Sequence, residues 1–256
     1  MSDVLTSCDT EDVERVRPLA GVLEAVERIA TGGGGNRPPV TLTYAQSIDG
    51  CITASDGCRT PISNASTERM THSLRAMHEA ILIGVNTLLV DDPQLTVRHV
   101  EGDDPRPVIA DSRLRTPIGC RLLEASGPGP IIATTSGAPA DAEAALVAAG
   151  AEVWRLPSNS WGGVDLGALL DRLGDEGVRS VMVEGGARVI TSMLARSLAD
   201  QLVVTISPRI LGGVRAVGPL PGREGDWPEI RDITCGLAGR DLVIHGAFVN
   251  GRGGDR

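Results

Sequence analysis

The segment Val181-Met182-Val183-Glu184-Gly185-Gly186-Ala187-Arg188-Val189-Ile190 carries the most chemistry per residue in the chain. An apolar run ends in Glu-Gly-Gly and a helical pattern starts at once. Two glycines let an anion approach the backbone, and a helix start offers free N–H groups and a positive dipole end. The junction suits a dinucleotide pyrophosphate, although it is not the GxGxxG of a Rossmann fold. A plain strand-to-helix turn has the same local pattern. A second segment, Ile83-Gly84 through Arg98, repeats the theme: a strand ends at glycine, and Thr87 offers a hydroxyl and an N–H at the start of a short helix. Asp91 and Asp92 precede Pro93, which forces an exposed turn where a carboxylate can accept from ribose hydroxyls or an amide. The alternative is a solvated acidic turn. Arg75 and Arg98 are candidates for bidentate binding of a phosphomonoester, against the usual fate of arginines in surface ion pairs. Asp111-Ser112 and Thr134-Thr135-Ser136 follow strand ends, where open α/β sheets place ligands.

Other chemistries lack their residues. The 256 residues include no lysine, so a Schiff-base lysine and a Walker A lysine are excluded. The four histidines form no HxxxH or HExxH pair, no HxE with PCxxC occurs, and no GxSxG elbow occurs. No metal site is expected.

These groups must be held by alternating short elements. Apolar runs at 40–45, 80–84, 107–110, 131–134, 153–156, 180–183 and 202–206 read as strands. Helices are expected from Ser66 or Thr67 to about His78, and over 87–90, 141–149, 166–176 and 187–197. The tail at 232–237 and 241–249 reads as an antiparallel pair. Asp49-Gly50 and Asp56-Gly57 signal turns, making 48–60 a loop or short hairpin. The pattern predicts an α/β fold whose sheet is parallel in the middle with an antiparallel edge. Ahead of it, 1–11 reads as a polar tail and 12–30 as an amphipathic helix. Gly32–Gly35 then reads as a linker, so an appendage over 1–37 and a main domain over 38–256 are expected.

A net charge of −9 with no basic stripe, and only five aromatic residues, argue against nucleic-acid binding. Five cysteines without CxxC fit a reducing cytoplasm better than a disulfide framework. The acidic start does not read as a secretory signal, and no apolar run reaches membrane-spanning length, so no membrane partner is expected.

Six segments, in order, resemble the pyrimidine reductase family of riboflavin biosynthesis. They are Thr41 through Gly50, Leu74-Arg75-Ala76, Gly84 through Arg98, Arg106-Pro107 with Asp111-Ser112, Val183 through Ala187, and Ile206 through Gly213. Together they span about 39–250. The resemblance implies a dihydrofolate-reductase-like fold, a mixed central sheet flanked by helices, in a homodimer. It implies NADPH as hydride donor and a ribosylaminopyrimidine 5′-phosphate reduced at C1′ to the ribitylamino product. Carried over by position, the cofactor-contacting residues are Ala45, Thr87, Asp91, Ser112, Gly185, Gly186, Ala187, Arg188, Val189, Ile190, Thr191 and Ser192. The substrate-binding residues are Arg75, Leu95, Arg98 and Glu184, with Arg75 and Arg98 clamping the phosphate and Asp91 assisting proton delivery. Thr43, Arg59 and Pro61 depart from the family's usual side chains. A free-standing reductase, without a fused deaminase, points to the substrate before deamination. Competing readings are a reductase of another heterocycle, such as a pteridine, and a catalytically silent NADPH-binding paralogue.

Overall fold

The computed structural model describes residues 19–32, 35–55, 58–125, 128–220 and 227–249. The polar tail at 1–11, the first residues of the helix expected over 12–30 and the Asp56-Gly57 turn lie outside them. The described chain runs α1 (Leu19–Thr31), β1 (Val40–Ser47), β2 (Cys51–Thr53), α2 (Ala65–Ala76), β3 (Ala80–Gly84), α3 (Val85–Asp91), β4 (Arg106–Ala110), α4 (Arg121–Glu124) and β5 (Ile131–Thr135). It continues through α5 (Ala140–Ala148), β6 (Glu152–Leu156), α6 (Leu166–Asp175), β7 (Val181–Glu184), α7 (Ala187–Ala195), β8 (Gln201–Ser207), β9 (Val214–Arg215), β10 (Ile230–Ala238) and β11 (Asp241–Phe248).

Nine strands form one sheet in the order β10-β11-β8-β1-β7-β3-β4-β5-β6. Neighbours from β8 to β6 pair in parallel, while β11 is antiparallel to both β8 and β10. The expected mixed sheet flanked by helices is therefore the fold observed. Strands such as β3 (Ala-Ile-Leu-Ile-Gly) are apolar throughout because both faces are covered. On one face Leu42, Leu82, Val108, Ala133 and Val183 pack on Leu169, Leu170 and Leu173 of α6 and Ile190 and Met193 of α7. On the other, Ile81, Ile83, Ile109 and Met182 pack on Met70 and Leu74 of α2, Leu88 of α3 and Leu146 of α5. Each such fully buried Val, Leu, Ile or Met side chain contributes about 1.5–3 kcal/mol relative to exposure.

Three expectations need correction. The 48–60 segment makes no local hairpin among the described residues, because β2 pairs with the distant β9. Helix α2 starts earlier than Ser66: its cap is Asn64, whose Oδ1 accepts from the N–H groups of Ser66 and Thr67, while Thr67 Oγ1 accepts from the Asn64 N–H. The third concerns α1, which is no loose appendage. Val22 and Val26 have no exposed surface and join the α2 side of the core, and Gln201 Nε2 donates to the Val26 carbonyl at 3.2 Å. Apolar burial outweighs the glycine-rich connection, so α1 is part of the same packed body.

One consequence of the topology positions the site. The chain passes from β1 to β3 and later returns to insert β7 between them. The connections after β3 and β7 leave on opposite faces, α3 on one and α7 on the other. Between them opens the crevice that α/β sheets offer to ligands at their carboxyl ends.

Candidate active site at the ends of β3, β4 and β7

Gly84, Ala110 and Glu184 end β3, β4 and β7, and all three line one open cleft of about 1860 Å³. Helix α7 points its N-terminus into it. Its cap, Gly186, has no side chain to satisfy the helix, and its carbonyl takes the N–H groups of Val189 and Ile190. The N–H groups of Ala187 and Arg188 have no partner among the described residues and remain for an anion. A Cβ on Gly186 would stand 3.0 Å from Thr87 Oγ1, so the starts of α7 and α3 meet across a gap of bare backbone. Gly84 has a packing reason: its Cβ would meet Val189 Cγ2 at 2.9 Å.

Beside this cradle lies a buried ion pair. Arg75 reaches from α2 to Glu184 with Nε–Oε2 at 2.9 Å and Nη2–Oε1 at 2.7 Å, and its Nη1 donates to the Thr96 carbonyl at 3.0 Å. Each guanidinium nitrogen makes one of these bonds, so Glu184 and Thr96 take three of the five N–H groups that the expected phosphate clamp would draw on. A guanidinium this buried requires a counter-charge, and Glu184 supplies it. Arg98 differs: it is exposed, and Nη1 donates only to neutral oxygens, Gln94 Oε1 at 3.2 Å and Thr96 Oγ1 at 2.9 Å. Its charge is available to a phosphate. Arg59, exposed on the cleft wall, adds a second cation.

Asp91 closes α3 inside the cleft. Its Oδ1 is buried without a hydrogen-bond partner among the described residues. Burial, with Glu184 adding to it, raises its carboxyl above the ordinary range, and Arg59 partly opposes the shift. A buried polar atom left unpaired is costly unless a ligand or proton answers it. The turn after it is strained. Asp92 (φ 38°) and Leu95 (φ 55°) both occupy the left-handed region, and Leu95 is buried against the cleft.

Of the expected cofactor-contacting residues, Thr87, Asp91, Ser112, Gly186, Ala187, Arg188, Val189, Thr191 and Ser192 line the cleft. Ala45 and Gly185 stand outside its wall. Ile190 is corrected: it has no exposed surface and packs in the core, because the fourth residue of α7 turns inward. Thr191 also has a structural duty, donating to the Ala187 carbonyl and accepting from the Gly218 N–H. The sequence reading missed His72. Its Nδ1 accepts the Arg98 N–H at 3.0 Å, and burial, with Arg75 and Arg98 adding to it, holds its pKa down to about 4. The available signal was its spacing three residues before Arg75 on one helix. Glu68, His72 and His99 place ligand atoms within 4.8 Å of one another. The Arg98 bond fixes the neutral His72 proton on Nε2, so ligation would break that bond or need an imidazolate.

Residues 38–244 match the RibD C-terminal domain family. The chain belongs to that family. It is 39% identical over 180 residues to the 2,5-diamino-6-ribosylamino-4(3H)-pyrimidinone 5′-phosphate reductase of Methanothermobacter thermautotrophicus, covering 69% of this chain and 81% of that one. The protein of the same name from Candida glabrata is 36% identical, covering 83% of this chain and 90% of its relative. Among solved structures, the riboflavin biosynthesis reductase of Saccharomyces cerevisiae superposes with a TM-score of 0.70 at 29% identity, covering 88% of this chain and 98% of that one. The RibD match begins after α1. Two of the resemblance segments meet in this RibD domain: Asp49 accepts from the N–H groups of Leu211 (3.1 Å) and Gly212 (2.7 Å).

Proposed function

We propose that this RibD-type domain reduces a ribosylaminopyrimidine 5′-phosphate to its ribitylamino form with NADPH, acting on the diaminopyrimidinone before deamination. The observation that carries the reading is the joining, in one cleft, of an anion-binding helix start with Asp91, Glu184 and a free Arg98. Bare backbone at Gly186, facing Thr87 Oγ1, fits a pyrophosphate, and the orphaned Asp91 Oδ1 fits a polar ligand group. The diamino preference is supported by the names of the two relatives above. The RibD of Aquifex aeolicus, 34% identical, is matched over only 57% of its length. Those names do not favour the other-heterocycle or silent-paralogue readings.

When bound, NADPH would supply the hydride needed at the imine-like C1′ of the ring-opened ribose. The chain's residues do the rest. Ala187 and Arg188 N–H groups hold the pyrophosphate, Thr87 and Ser112 flank it, and Arg98 takes the substrate phosphate. Arg75 holds Glu184 toward the pyrimidine. Asp91, whose carboxyl pKa burial raises, would give its proton to the nitrogen that gains the electron pair. No covalent nucleophile is required.

No helix among the described residues is long and apolar enough to cross a membrane. Cys51, Cys58, Cys120 and Cys235 are free thiols, which supports a cytoplasmic setting. The edge strand β10 exposes Ile233 and Leu237, which supports pairing with a second copy as a homodimer. The test mixes purified protein and NADPH with each pyrimidine phosphate, before and after deamination, and follows nicotinamide oxidation. Oxidation with the diamino compound alone is expected. Oxidation with neither sinks the proposal.

A further inference from the structure

An indole stands in the cleft wall where apolar surface gains nothing from water. Trp161 is 63% exposed, yet it lines the same cleft as the α7 N-terminus. It sits in the loop from β6 to α6, and that loop is rigidly built. Asn159 Oδ1 accepts from the N–H groups of Trp161 (3.0 Å) and Gly163 (2.9 Å), and Asn159 Nδ2 donates to the Val164 carbonyl at 3.3 Å. Asn159 N–H also bonds the Gly163 carbonyl at 2.8 Å, and Ser158 bridges Val164. The turn holds the Trp161 backbone in a fixed place, so the loop itself has little ordering entropy left to lose when the ring stacks. The whole chain has five Phe, Trp and Tyr residues, and Trp161 is the one among those lining the cleft.

We infer that Trp161 is the stacking platform for the adenine of the dinucleotide cofactor. The inference rests on the NADPH reading above and extends it to a residue outside the family's motifs. The two faces of the sheet decide which ring Trp161 meets. The groups assigned to the substrate, Arg75, Leu95 and Arg98, belong to α2 and the turn after α3, on one face. The nicotinamide must lie beside the substrate, hence on that side of the pyrophosphate. Trp161 leads into α6, which packs with α7 on the other face. The far arm of a dinucleotide seated at the α7 N-terminus therefore runs past the end of β4 toward Trp161. Adenine offers a π-face to any aromatic side chain, and stacking of this kind is sensitive to truncation.

The test separates the two halves of the cofactor. Trp161→Ala is expected to raise the dissociation constant for 2′-phospho-ADP-ribose about tenfold. Binding of reduced nicotinamide mononucleotide and the KM for the pyrimidine should not change. Trp161→Phe should restore most of the loss. In steady state, Trp161→Ala should raise the KM for NADPH with kcat retained at saturation. An unchanged constant for the adenine half overturns the inference while leaving the reductase reading intact. So does an equal loss for the mononucleotide. Failure of the unsubstituted protein to bind NADPH at all overturns both.

Discussion

Arg75 and Glu184, 109 positions apart, join α2 to the end of β7 by two parallel hydrogen bonds of 2.9 and 2.7 Å. The arginine side chain is 9% exposed and the glutamate 29%. Removing one partner leaves a desolvated charge; removing both does not. Glu184→Gln should therefore cost on the order of 2 kcal/mol, below a fully buried pair because the carboxylate keeps some water. The double change Arg75→Met with Glu184→Met should recover most of that stability and none of the activity. Urea unfolding of the three proteins beside an activity assay decides it. A double variant as unstable as Glu184→Gln would rule out a charge-pairing role.

Arg98 stands apart from this pair and, among the described residues, its side chain meets only neutral oxygens, so its charge awaits an anion. Losing one charged contact to a phosphate costs about 2 kcal/mol, roughly 30-fold in affinity. Arg98→Ala should raise the KM for the phosphorylated pyrimidine by about that factor and leave the dissociation constant for NADPH unchanged. The dephosphorylated substrate should not distinguish the two proteins. His72 supports the same arm through the Arg98 N–H. Equal weakening of NADPH binding by Arg98→Ala would contradict the assignment.

At the cofactor cradle the argument is steric. Gly186 faces Thr87 Oγ1 at the distance a Cβ would already crowd, 3.0 Å. Gly186→Val should raise the dissociation constant for NADPH by two orders of magnitude or more, since branched methyls fill the space where the pyrophosphate meets the backbone. Gly186→Ala should fall between. Titration of nicotinamide fluorescence reads both. Unchanged affinity in the valine variant would move the pyrophosphate away from α7.

The central strands were legible because a strand covered on both faces leaves a continuous apolar run, as in Ala80–Gly84 and Val181–Glu184. The glycines ending such runs marked the cleft. What local pattern cannot carry is a partner far along the chain. The Arg75 side chain was readable as a phosphate ligand until Glu184 was placed against it. The β2–β9 pairing, spanning about 160 positions, left no trace near Asp49-Gly50. Asn64 was missed as a cap because Ser66 and Thr67 offer the same chemistry within three residues. Ile190 was carried along with its neighbours, although helical spacing puts it on the face opposite Arg188. His72 looked like any core histidine until its acceptor role toward Arg98 was seen.

A buried polar chain makes the fold acid-sensitive. Gln201 donates to Thr41 Oγ1 at 2.8 Å, and its Oε1 meets His245 Nε2 at 2.9 Å. The other ring nitrogen of His245 is buried without a partner among the described residues. Burial, with Arg28 nearby, lowers its pKa from 6.5 to about 4, and burial also lowers that of His78. A lowered histidine pKa means the unfolded chain takes the proton first. Stability should be level above pH 6.5 and fall as pH drops from there toward 4. His245→Asn, which keeps a donor for Gln201 and does not titrate, should flatten the fall between about pH 6.5 and 5, above most carboxylate titration. Urea unfolding across that range measures it, and an unchanged slope would clear His245 of the effect.

Asp91 should report itself in the pH dependence of the reaction. Its carboxyl is raised by burial and by Glu184, and its Oδ1 has no partner among the described residues. A group that must donate a proton works only while it holds one, so kcat should decline as pH rises through the raised value. A raised pKa moves that decline toward neutrality, above the range of an ordinary aspartate. Asp91→Asn keeps the shape and one hydrogen-bond acceptor but cannot give up a proton. It should lower kcat by about 100-fold, within the usual range for a lost general acid, and remove the declining limb. NADPH affinity measured on the same variant separates the roles, because Asp91 also faces the cofactor side of the cleft. A kcat that keeps its pH profile in Asp91→Asn would assign the proton to another donor and leave Asp91 as a binding group only.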